Sequence, residues 1–174
     1  MIGAPRLTLL FLDVDGPLIP FGATPRQLPG GYRVHQAAYG RPQATANPLL
    51  SRIDPAYGPR LRALGCELVW ATTWMSEANE AIAPWLGLPR LPVVDWPDPA
   101  EDGPGQLGLH WKTRPLVEWA DGRDFVWIDD EITAVDRAWV AARHPGRALL
   151  HRVDARLGLT DEDFTAVGAW LRAA

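Results

Sequence analysis

Cysteine is almost missing from this chain. Cys66 stands alone among 174 residues, so no internal disulfide can form, and the usage suits a reducing cytoplasm. Long apolar runs are missing too. The stretch between Arg6 and Asp13 is too short for a signal-peptide core and far too short to span a bilayer, so the expectation is a soluble, intracellular protein. Neither charge sign is in strong excess. A formal net charge of -4 argues against a dedicated nucleic-acid or membrane-surface protein on charge alone. No internal repeat is visible. The histidines at 35, 110, 144 and 151 show no metal-ligand spacing and read as surface or packing residues.

What the chain does have is tryptophan, nine residues, and proline, 17 residues. Most of the tryptophans are expected to pack in or near the core, and the prolines fall mainly between elements, where they stiffen loops. Short apolar runs alternate with helical stretches. Leu7 to Leu12, Leu68 to Ala71, Phe125 to Ile128 and, less cleanly, Ala148 to Val153 have strand length. Leu91 to Val94 reads as an edge strand because of Pro92. Runs without polar alternation predict strands buried on both faces. Helices are expected over Pro55–Leu64 with Gly65 as cap, from Ser76 to Leu86 closed by Gly87, over Thr113–Ala120 before Asp121-Gly122, and over Ile132–Arg143 before Pro145-Gly146. The last opens at a Thr160–Asp163 capping box. The alternation predicts an α/β fold: one doubly wound, Rossmann-like parallel sheet flanked by helices, spanning 1–174 as a single domain. Residues 17–54 carry no sustained periodicity and read as an irregular insertion, a small hairpin flap plus loop; excursions of this length are usually functional or disordered.

The first strand runs into Asp13-Val14-Asp15-Gly16. Two carboxylates at the end of a buried strand gain nothing structurally, so a cation or chemistry is expected there. An EF-hand loop is excluded: with Gly16 at its sixth position, the first and twelfth residues would be Phe11 and Gly22, where acids are required. Further groups follow in order. Thr72 and Thr73 close "LVWATTW", Lys112 lies in "HWKTRPL", and Asp129, Asp130 and Glu131 end "FVWIDDE". In a parallel sheet all these strand ends project toward one edge. Clustered carboxylates suit a divalent cation with oxygen ligands, Mg²⁺ above all, while a lysine and a hydroxyl complement a further anion such as phosphate.

The order D-x-D-G, strand-end Thr, Lys, Asp-Asp resembles the haloacid dehalogenase (HAD) superfamily of phosphohydrolases, over nearly the whole chain and in all four family motifs. "WATTW", "WIDDE" and the small size are similar to a compact bacterial branch associated with nucleic-acid end repair. The resemblance implies Asp13 as nucleophile forming an aspartyl-phosphate, and Asp15 as the acid that protonates the leaving oxygen and then takes a proton from water, its carbonyl also binding Mg²⁺. It implies Thr72, or Thr73 one residue on, as a phosphate-binding hydroxyl. Lys112 would neutralise nucleophile and phosphate. Asp130 would be a direct metal ligand, with Asp129 bound directly or through water. An acid at Asp15 favours ester hydrolysis over dehalogenation, since halide leaves unprotonated.

The expected activity is therefore that of a phosphoric monoester hydrolase. The alternatives are a phosphotransferase, which shares every residue, and a non-catalytic metal- and phosphate-binding regulatory module. Such modules often lose the nucleophile or acid, and both are present here. With little or no cap, the site is expected to be open to a phosphorylated small molecule or nucleotide. Six arginines (26, 33, 41, 52, 60, 62) against one acid between Pro17 and Cys66 extend the candidate partners to a nucleic-acid end. Trp74 and Trp111 flank the expected phosphate-binding residues as a possible aromatic platform, and His110 lies close enough to Lys112 in sequence to enter the site.

Overall fold

The computed structural model describes residues 7–36, 47–97 and 108–173. Four strands, β1 (Leu9–Leu12), β2 (Glu67–Trp70), β3 (Phe125–Asp129) and β4 (Ala148–Arg152), form one parallel sheet in the order β2-β1-β3-β4. Side chains alternate along β1, yet both faces are buried. Leu10 and Leu12 join a core with Leu61, Leu86, Phe164 and Val167, while Leu9 and Phe11 join a second core with Leu116, Val140 and Trp127. Two buried faces explain the unbroken apolar runs. Helices α1 (Tyr57–Ala63), α2 (Ala83–Leu86) and α5 (Asp161–Arg172) cover the first face; α3 (Thr113–Ala120) and α4 (Ala134–Arg143) cover the second. The chain crosses from β1 to β2 on one side and later returns to β3 on the other. The carboxyl ends of β1 and β3 therefore flank the point where strand order reverses, the crevice in which open α/β sheets bind ligands.

The boundaries differ from expectation where a local cause intervenes. The helix expected from Ser76 is uncapped by it. A π-helical turn spans Ala78–Ile82, and only then does α2 run to Gly87, which closes it at φ 65°. Pro84 has no N–H for the carbonyl four residues back and its ring crowds that carbonyl, and the chain answers with a wider turn in which the Ala83 N–H reaches Ala78 O. The edge strand expected at Leu91–Val94 reduces to one bridge between Val93 and Trp70, because Pro92 has no donor to extend the ladder. The helix expected from Ile132 starts at Ala134, since Thr133 stands outside it as cap; α1 likewise begins at Tyr57 rather than Pro55. Within 17–54 the described residues form turns and a 3₁₀ helix at Pro48–Arg52, with no paired hairpin strands among them; 37–46 lie outside the described residues. Among the described residues no helix is long and apolar enough to cross a membrane.

Candidate active site

In-register pairing of Leu12 with Ile128 delivers Asp13 and Asp129 side by side at the carboxyl edge, and the Asp13 N–H donates to Ile128 O at 3.0 Å. Lys112 reaches in from the start of α3. Its Nζ lies 2.9 Å from Asp13 Oδ2 and 2.8 Å from Asp129 Oδ2, with only 3% of the lysine exposed and none of Asp129. Two buried carboxylates thus share one ammonium. The remaining Asp129 oxygen accepts the Glu131 N–H at 2.9 Å, and Trp127 Nε1 donates to Oδ2 at 3.3 Å.

Asp130 closes the group from the other side of the turn. Oxygens of Asp13, Asp129 and Asp130 lie within 4.8 Å of one another. The approach depends on Gly16, whose φ is +91°; a Cβ there would fall 2.6 Å from Asp130 Cγ. The glycine of D-x-D-G is needed both for its left-handed backbone and for the space a side chain would take from Asp130.

Charge in this cluster is unbalanced, and the acid–base behaviour follows. Burial pushes the Asp13 carboxyl up to about 7 against the pull of Lys112, with the Asp129 charge adding to the rise. Burial, then the Asp129 charge, also raises Asp130. For Lys112 burial alone would favour the neutral amine, but attraction and hydrogen bonds from Asp13 and Asp129 outweigh it and hold the ammonium above its ordinary value. A three-carboxylate, one-ammonium cluster of hard oxygen donors fits a divalent cation, which would restore neutrality and favour the ionised form of Asp13 and Asp130.

Asp15 stands apart from this cluster. Its carboxylate is half-buried and accepts from Trp74 Nε1 at 3.0 Å, so the indole edge of Trp74 faces the D-x-D-G turn. Thr72 is fully buried at the end of β2, its Oγ1 accepting the Trp74 N–H at 3.3 Å, whereas Thr73 is exposed. Among the described residues no hydrogen bond ties either threonine to the carboxylates. His110 does enter the neighbourhood. Its Nε2 lies 3.0 Å from Glu131 Oε2 and its ring stacks on Trp111. Of the arginines in 17–66, Arg41 lies outside the described residues, and two of the others make contacts away from the carboxylate cluster. Arg60 pairs with Asp161 and lies over Phe164, and Arg52 bonds Pro20 O and lies over Tyr32.

Two features of the site escaped the sequence reading. Asp136 is fully buried and accepts the His110 N–H at 2.8 Å and Thr113 Oγ1 at 2.7 Å, fastening both sides of Lys112 to α4. Its signal was a Thr133–Asp136 capping box, visible in the sequence. The other is that Lys112 is the only lysine in the chain, every other Lys/Arg position being arginine. Its ammonium is a compact point charge with three donors, and here it meets two buried carboxylates at once.

No curated protein and no solved structure matches the chain. The family model described as "HAD domain in Swiss Army Knife RNA repair proteins" matches residues 9–164, and the chain, with a parallel α/β sheet whose strand ends carry the acidic cluster, belongs to that HAD family.

Proposed function

We propose that the protein is a Mg²⁺-dependent phosphatase that hydrolyses a phosphate monoester through an aspartyl-phosphate on Asp13, with a nucleotide or the terminal phosphate of a nucleic-acid strand as substrate. The observation that carries the reading is the buried Lys112 ammonium bridging Asp13 and Asp129 while Asp130 lies alongside. A structural ion pair needs one carboxylate; a site built for a phosphate dianion needs a surplus of cation-binding oxygens around an anionic nucleophile.

In the first half-reaction an Asp13 oxygen forms a bond to phosphorus as the bond to the leaving oxygen breaks. Asp15 supplies the proton to that oxygen. In the second, water attacks the same phosphorus, Asp15 takes its proton, and the bond to Asp13 breaks to release inorganic phosphate and the free carboxylate. Lys112 holds the Asp13 carboxylate in place, because its ammonium cannot leave without stranding Asp129. Thr72, with Thr73 beside it, supplies hydroxyl donors to the phosphoryl oxygens. Asp13, Asp129, Asp130 and the Asp15 carbonyl would hold Mg²⁺, which neutralises phosphate charge when bound. Residues 1–174 act as one domain in this reading, with 17–54 bordering an open site, and the lone, half-buried Cys66, whose thiol burial pushes up to about 11, suits a reducing cytoplasm.

The family's RNA-repair description favours a nucleic-acid end over a metabolite. Room for such a substrate exists beside the cluster: a crevice of about 530 Å³ opens at Asp130 and is lined by Arg152, Asp154 and Arg156. The test is phosphate release, with and without Mg²⁺, from aryl phosphate, mononucleotides, sugar phosphates and oligonucleotides phosphorylated at either end. Turnover is expected to require Mg²⁺ and to fall by about a thousandfold or more in Asp13→Asn. Turnover that survives Asp13→Asn would reject the aspartyl-phosphate route.

A further inference from the structure

We propose that Trp74 is the positioning residue for the acid Asp15, and that its indole N–H decides how well the enzyme turns over esters with poor leaving groups. The inference rests on the phosphatase reading above and extends it to a residue to which that reading gives no role.

The backbone of Asp15 is well fixed. Gly16 N donates to Ile19 O, and Leu18 N and Ile19 N both donate to Val14 O, closing the turn after β1. The side chain is another matter. Asp15 has no ion pair among the described residues, and its one side-chain partner among them is Trp74, 59 positions away in sequence, with Nε1 at 3.0 Å from Oδ2. An indole N–H only donates. It bonds Oδ2 best while that atom is the carbonyl oxygen of the acid, which favours carrying the hydrogen for the leaving oxygen on Oδ1. One bond therefore fixes the torsion of the carboxyl group and selects the oxygen that faces the substrate.

Trp74 is itself held for this task. Its N–H donates to Thr72 Oγ1, and the Glu77 N–H returns to Trp74 O at 3.0 Å. Met75 lies in the left-handed region at φ 50°, a conformation that non-glycine residues keep only where surrounding bonds over-determine it. On the other side Trp96 Nε1 donates to Thr72 O at 3.1 Å. The Trp74 backbone N–H and the Trp96 indole N–H thus hold the turn after β2 at Thr72, and from that turn the Trp74 indole N–H spans to Asp15. The aromatic-platform reading of Trp74 does not require this orientation; a positioning role does.

The experiment uses the full chain and a series of aryl phosphates from 2,4-dinitrophenyl to phenyl phosphate. Trp74→Phe keeps an aromatic ring and removes the donor. The dinitrophenolate leaves with little help from an acid, and phenolate needs it, so the loss in kcat is expected to grow along the series and to be about tenfold larger for phenyl phosphate than for the dinitrophenyl ester, inside the range that general acids contribute. KM should move little. An equal fractional loss across the series, or none, overturns the proposal. A second readout needs no turnover. The Trp74 indole N–H resonance, assigned by its disappearance in Trp74→Phe, should shift in Asp15→Asn, and an unmoved resonance overturns the contact. Failure of the phosphatase reading looks different: the wild type would release phosphate from none of the esters, or Asp13→Asn would release it as fast, and the positioning role would fall with it.

Discussion

Helices α4 and α5 open with the same four-residue device and use it for different ends. In both, the threonine N–H and hydroxyl meet one oxygen of the aspartate three residues on, at 2.8 and 2.7 Å, and the aspartate N–H returns to the threonine oxygen at 3.3 Å. The difference lies in the second carboxylate oxygen. In Asp163 it faces His151 Nε2 at 2.7 Å, tying α5 to β4 on the half-buried side of the sheet. In Asp136 it accepts the His110 N–H and the Thr113 hydroxyl, tying α4 to the residues on either side of Lys112. Both carboxyls are held below the usual carboxylate range. Burial opposes this in each, and hydrogen bonds from Thr113 and Thr133 in one, Thr160 and His151 in the other, outweigh it. One capping motif is therefore a helix start at α5 and, at α4, also a brace for the residues on either side of Lys112.

The largest expected consequence is at Asp136. Asp136→Ala keeps the Thr133 cap but removes its capping-box partner, worth about 1 kcal/mol, and strands the His110 N–H and the Thr113 hydroxyl, at about 1–3 kcal/mol each. A loss of about 3 kcal/mol or more is expected in urea unfolding. Variants that remain folded should also release phosphate more slowly, because Lys112 is no longer pinned from both sides. If Asp136→Ala costs no more than Asp163→Ala, the cross-element bonds contribute nothing and the contrast collapses.

This contrast also marks how far the sequence could be read. Both strand ends that carry Asp13 and Asp129 were legible, because buried parallel strands write themselves as unbroken apolar runs and the acids break them abruptly. Lys112 was expected at the start of a helix, and it stands directly before α3 with its Nζ between Asp13 and Asp129. What local pattern could not supply was tertiary choice. Nothing in Thr133-Ala-Val-Asp136 tells which groups the second oxygen of Asp136 will meet. Nothing in "WATTW" says that Trp74 will turn its N–H toward a carboxylate from β1. The π turn before α2 was missed for a different reason: a proline inside an otherwise regular helical stretch has several local solutions, and packing selects among them.

Acidity offers the next largest handle, because it separates the cluster from both boxes. For Asp13 the folded pKa of about 7 lies above the ordinary aspartate value of 3.8. Its contribution to stability is therefore fully present below the unfolded value and is lost as pH rises through about 7, unless a cation binds the ionised carboxylate. Asp136 and Asp163 run the other way. Their contributions are present above the unfolded carboxylate range and fade only as pH falls through their still lower folded values. Between pH 6 and 8 both box carboxylates stay ionised while Asp13 titrates. Mg²⁺ affinity, followed by calorimetry, is expected to weaken about tenfold from pH 8 to pH 6 as one proton competes for Asp13, and the rise in Tm on adding Mg²⁺ should be larger at pH 8. A pH-independent Mg²⁺ affinity would remove Asp13 from the cation site.

Asp163→Ala should cost about 1–2 kcal/mol, for the capping-box partner of Thr160 and the bond to His151, and leave Mg²⁺ affinity at its wild-type value, since among the described residues no bond of Asp163 reaches the cluster. A coupled fall in metal affinity would mean that α5 supports the site through the sheet.

The smallest effects are expected at the threonines, and their equality is what makes them useful. Thr133→Ser and Thr160→Ser each keep the hydroxyl that donates to the aspartate and accepts its N–H, losing only a methyl group. Serine caps as well as threonine, so each change should lie within about 0.5 kcal/mol of wild type and the two should match. Matched small effects beside unmatched aspartate effects would assign the whole difference between the helices to the second carboxylate oxygen. Unequal serine variants would instead place part of it in how each threonine methyl packs, and the Asp136 result would then have to be read as packing as well as hydrogen bonding.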